Sequence, residues 1–167
     1  MASEAPATNN DTETASEPDT TDTETSDDAA SPAEVPTCET LIGQAVVDDF
    51  LSVGWSVKTE TFYLGNIEIA EGIQCIWADY ESQANDQPQI FGWAPIDSDG
   101  AADAQRALVA EGWVQEDAAE GVYITENPDT AFARDENGYG VTYLFIDGEV
   151  LQADTKQGLL LIDWPAS

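Results

Sequence analysis

Apolar side chains fall into a helical rhythm from residue 41 onward. Leu41, Ile42, Ala45, Val46, Phe50 and Val53 share one face at a spacing of three and four, and Gly54 follows as a stop, which predicts an amphipathic helix docked on a flat surface. The rhythm then shortens to two. Val57 to Leu64 alternates loosely as a strand, Asn66 to Gly72 reads as a turn, and Ile73 to Tyr80 is rich in β-forming residues. Gln89 to Ala94 gives a third strand.

The second half follows a similar course. Asp99 to Glu111 is an alanine-rich helix carrying Leu108 and Val109, and it ends at Gly112-Trp113 as the first ends at Gly54-Trp55. Strands are expected at Val122–Thr125 and Val141–Phe145, with Asp147-Gly148 turning the latter into a hairpin with Glu149–Ala153. Leu159 to Trp164 reads as a last strand or an edge turn. The expected fold is therefore α+β, two helices packed on antiparallel sheet, with a possible internal duplication of a helix, strand and hairpin unit.

Residues 1–37 break this pattern. Met1 and Val35 are their only large apolar side chains, 10 of the chain's 34 acids lie there, and they hold no basic residue. Such a segment cannot bury a core, so it reads as a disordered acidic Thr/Ser/Pro-rich stalk, against the plainer reading of a passive tail. The domain proper is expected over residues 38–167. One core suits the length.

Charge narrows the partners. With 34 acidic and 4 basic side chains the net charge is −30, which excludes nucleic acid as a partner and is repelled by anionic membrane surfaces. Cationic or neutral partners remain. The same bias marks proteins of salt-rich cytoplasm, an origin that would leave the fold dependent on salt to screen its carboxylates.

Histidine is absent, so triads built on it and histidine zinc sites are excluded. Cys38 and Cys75 are too few for an all-cysteine zinc site. They read as a disulfide worth about 3–4 kcal/mol, with two buried thiols as the alternative. A disulfide implies an oxidising compartment. The opening Met1-Ala2-Ser3-Glu4 lacks the features of a signal peptide, which taken alone points to the cytoplasm. An export signal removed from a precursor reconciles the two, and no run of about 18 apolar residues predicts a transmembrane segment.

Four stretches together carry a resemblance: Cys38-x-x-Leu41 opening a helix, Gly72-Ile73-Gln74-Cys75-Ile76-Trp77, Phe91-Gly92-Trp93-Ala94-Pro95, and the acidic threonine-rich leader. In these the chain resembles uncharacterised cell-envelope lipoproteins of actinobacteria. The resemblance implies an extracytoplasmic place, supports the Cys38–Cys75 pairing, and suggests a lipid anchor in a precursor form. It brings no activity, so no catalytic residue is carried over.

Candidate chemistry is thin. Of the five tryptophans, Trp55, Trp77 and Trp113 are expected in the core, whereas Trp93 and Trp164 are the candidates for partial exposure and for stacking on a sugar ring. Asp97-Ser98-Asp99-Gly100 and Asp135-Glu136-Asn137-Gly138 look like fragments of calcium loops, but position twelve of each would be Leu108 or Ile146, so a helix cap and a turn are the favoured readings. No metal or cofactor is expected. The expected role is a non-enzymatic extracytoplasmic domain that binds a neutral glycan, a lipid-linked molecule or a protein. A structural or protein-contact module is the alternative, and a carboxylate-based hydrolase the minor one.

Overall fold

A computed structural model describes residues 34–83 and 87–165; most of the expected stalk, residues 1–33, lies outside the described residues. From Cys38 the elements run α1 (Cys38–Leu41), α2 (Gln44–Ser52), β1 (Ser56–Leu64), β2 (Ile67–Ala78), β3 (Gln89–Pro95), α3 (Ser98–Ala110), β4 (Val114–Asp117), β5 (Val122–Thr125), β6 (Thr142–Ile146), β7 (Glu149–Ala153) and a 3₁₀ turn (Gln157–Leu161). The seven strands form one antiparallel sheet in the order β1-β2-β3-β7-β6-β5-β4. The fold is α+β, as the patterning predicts.

Alternation along the strands sends side chains to two cores, one on each face of the sheet. Cys75, Trp77, Phe91, Trp93, Leu151 and Ala153 meet Leu41, Ile42 and Val47 of the first helical region. Phe62, Ala94, Tyr143, Phe145 and Val150 meet Ala104 and Leu108 of α3 on the other face. The helices thus cover opposite faces. The Cys38–Cys75 disulfide, with Cα atoms 5.5 Å apart, ties α1 to β2 inside the first core.

Two expectations are corrected, one pair of alternatives is settled and one strand is added. The first helix is interrupted: Ile42 is extended, the Gly43 N–H donates to the Leu161 carbonyl at 3.1 Å, and the Asp163 N–H donates to the Leu41 carbonyl at 2.9 Å. The incoming C-terminal segment takes the backbone groups that a continuous helix would use, and the buried face after the break centres on Val47 while Val53 is 64 % exposed. Of the two readings of Leu159–Trp164, the turn holds: the segment is the end of a 3₁₀ turn followed by a single bridge, Ile162 to Ile42. The Asn66–Gly72 turn is instead the start of β2, because Gly65 at φ +60° and Asn66 suffice to turn the chain between the paired Leu64 and Ile67. β4 is a fourth strand of the second half, its polar Val114–Asp117 sequence carried as a sheet edge by β5.

The duplication is not confirmed. Three strands follow the first helical region and four follow α3, and β7 lies between β3 and β6.

Candidate functional site

The β1–β2 hairpin reaches beyond the rest of the sheet as an arm. Its pairing with β1 slips between Glu60↔Gln74 and Phe62↔Ile69, leaving extra residues on β2 as a bulge. Ile73, Cys75 and Trp77 face the first core, but beyond the bulge Ile69 packs on the α3 side. The bulge therefore re-aims the arm. Gly72 sits within it because a Cβ there would come within 2.7 Å of the Cβ atoms of Ala94 and Phe62. Tyr143 pins the tip, its hydroxyl donating to the Tyr63 carbonyl at 2.9 Å and accepting from the Gly65 N–H at 3.3 Å. Burial pushes the Tyr143 phenol above its ordinary pKa, so it remains a donor.

Between the arm and the start of α3 lies an open groove of about 760 Å³. Leu64, Ile67, Ile69 and Ile96 supply apolar walls, and Glu71, Asp97 and Asp103 supply carboxylates. Asp97 caps α3, accepting from the Gly100 N–H at 2.7 Å, and Asp103 pairs with Arg106 one turn along. No lysine, arginine or aromatic ring lines the groove. An apolar strip edged by acid suits a ligand with alkyl groups and positive charge.

The sequence-predicted candidates lie elsewhere. Trp93 is 3 % exposed, and its indole N–H donates to Glu149 Oε2 at 2.8 Å, so the partial exposure expected of it is not found. Its neighbours on β2 and β7 cover both sides of β3, and the polar tip of the ring is satisfied by a carboxylate. Trp164 is half-buried against the same cluster, on the face opposite the groove. Trp77 is buried, Trp55 stacks on Phe50 at 5.0 Å and Trp113 stacks on Tyr143 at 5.4 Å. Asp97 is the helix cap that the sequence suggests. Asp135 is the turn residue: its Oδ1 accepts from the N–H groups of Asn137 and Tyr139 at 2.9 and 3.0 Å.

A second polar cluster holds the other end of the sheet together. Lys156 Nζ lies 3.0 Å from Glu116 Oε1 and 4.6 and 4.5 Å from the ring centres of Tyr123 and Tyr139. Burial, with the Glu120 carboxylate beside it, pushes the Tyr123 phenol up to about 12. Asp154, raised to about 6 by burial, is likewise outside the groove.

Sequence reading missed Ile67, Ile69 and Glu71. The available signal was the alternation Ile67-Glu68-Ile69-Ala70 directly after Gly65-Asn66, a strand start masked by two glycines within eight residues. No helix among the described residues is long and apolar enough to cross a membrane. No family model matches the chain, and no curated protein or solved structure matches it.

Proposed function

We propose that residues 38–167 form a non-enzymatic binding domain working outside the cytoplasm at the cell envelope, and that the groove beside the β1–β2 arm takes its partner. The groove is the observation that carries this reading: a concave apolar strip bounded by carboxylates, held open by a bulged arm and a capped helix. The disulfide supports an oxidising compartment, and the resemblance to envelope lipoproteins agrees with it.

Among the candidate ligands, a protein segment fits the groove better than a glycan. Sugar rings are held by aromatic faces, and the lining offers none. A hydrolase is less well supported, because Asp97 is engaged as a cap and Asp103 by Arg106.

Thermal unfolding of the full chain with an alternating lysine–valine peptide, a cell-wall glycan fragment or lipid tests the reading. A ligand at about 100 times its dissociation constant adds roughly 2.7 kcal/mol. The peptide alone is expected to raise Tm, and Ile67→Glu to remove the rise. A rise with glycan that Ile67→Glu leaves intact would move the site out of the groove.

A further inference from the structure

The sheet has an incomplete interior edge beside the groove. β2 pairs with β3 only over Ile73–Trp77, and β3 ends at Pro95, after which the Ile96 N–H turns away to the Gly148 carbonyl at 3.0 Å. Within Ile67–Glu71, Ile67–Ile69 pair with β1, Ala70 and Glu71 fall in the bulge, and none of the five pairs with β3. The other side of this stretch borders the groove, across which stand Pro95, Ile96 and Gly148. Five residues of strand span roughly 17 Å, enough to pair a short extended segment.

We infer that an extended, basic and apolar segment of a partner protein adds to β2 as a strand along Ile67–Glu71, filling the place that β3 vacates at Pro95. This rests on the groove being the binding site and specifies how it is occupied. Main-chain bonds to the vacant edge supply affinity, and side chains of alternate residues enter the groove. One set meets Leu64, Ile69 and Ile96. Lysine or arginine at the segment's flanks meets Glu71, for which no intramolecular ion pair exists among the described residues.

Charge selects the occupant. The chain's own leader, with 10 acids and no base in residues 1–37, has the same sign as the groove, and a second copy carries −30. Both are repelled at the point of contact, where screening is weakest. A basic segment is drawn in, and its on-rate falls with salt. Ile67, 43 % exposed at the arm's edge, is the apolar contact left uncovered without a partner.

The test uses the ¹⁵N-labelled full chain and an alternating lysine–valine hexapeptide, prepared unmodified and in two forms N-methylated at odd or at even backbone nitrogens. Strand addition predicts that amide exchange across Ile67–Glu71 slows about tenfold at saturation for the amides facing the groove. One N-methylated form loses about tenfold in affinity while the other keeps it, because alternate N–H groups point to the same side. Glu71→Lys weakens the lysine–valine peptide and strengthens its glutamate–valine counterpart.

Groove resonances that move while both N-methylated forms bind like the parent would overturn strand addition and leave the groove reading standing. Resonances that move only elsewhere, or not at all, would overturn both. Edge amides already protected in the free chain would assign the edge to the leader where protection is independent of concentration, or to a second copy where it grows with concentration, and either result overturns the basic partner.

Discussion

The hydroxyl of Tyr143 donates to the carbonyl of Tyr63 at 2.9 Å, joining a central strand of the second half to the tip of the β1–β2 arm. The same oxygen receives the Gly65 N–H, so one buried phenol satisfies two backbone groups at the turn where the arm would otherwise be loosest. The tip of the arm that borders the groove is thus tied to a residue 80 positions away in sequence.

Tyr143→Phe keeps the ring against Phe62 and Trp113 but leaves both backbone groups without their partner. A loss of about 1–3 kcal/mol is expected. Thermal unfolding measures the cost, and amide exchange at Gly65 should accelerate by more than exchange in β6. Equal acceleration throughout would mean that the hydroxyl stabilises the whole domain without pinning the arm.

The disulfide should matter to the first core more than to the second. Replacing Cys38 and Cys75 together by serine removes a cross-link worth about 3–4 kcal/mol in the chain-entropy account. The double variant is expected to unfold several degrees lower and to respond no further to reductant. Protection should fall first at Leu41, Ile42 and Val47, which the bridge holds against β2.

What the sequence made legible was whatever local chemistry decides. Asp147-Gly148 turns β6 into β7 with Ile146 opposite Glu149, and Asp97 caps α3, each fixed by residues a few positions apart. The break at Ile42 depends on Leu161 and Asp163, which no window around the helix contains. The groove was illegible for the same reason. It needs the end of β3 at Pro95, the bulge at Gly72 and the hydroxyl of Tyr143 to be known together, whereas Gly65, Asn66 and Gly72 read alone suggest only a long turn. Trp93 was misplaced because its neighbour Pro95 suggested an exposed strand end, while β2 and β7 on either side make β3 central.

Stability should depend on pH through Asp154. Burial raises its carboxyl from the usual 3.8 to about 6, so between those values the folded chain binds more protons than the unfolded one. Unfolding free energy then falls as pH rises through that window: the contribution of the neutral carboxyl is present below about 4 and lost through about 6. Asp154→Asn, which cannot ionise, should flatten this part of the profile. It is expected to match the parent near pH 4 and to exceed it in Tm by a few degrees at pH 7, as read by unfolding scans across the range.

Gly72→Ala tests whether the bulge places the arm. The added methyl would stand 2.7 Å from Ala94 Cβ and from Phe62 Cβ, and both atoms sit on strands that cannot rotate away. Overpacking of this kind costs about 1–3 kcal/mol. The strain can be relieved in one direction more easily than the other. β3 is held on both sides, by β2 and β7, whereas the arm beyond Gly72 is held by β1 and the Tyr143 hydroxyl. The arm should therefore move outward. Chemical shifts at Ile67, Ile69 and Glu71 are expected to change more than those at Ala94 or Leu151, and affinity for the lysine–valine peptide to fall. A destabilised variant whose arm resonances and peptide affinity match the parent would show that Gly72 serves packing alone and that the groove is set elsewhere.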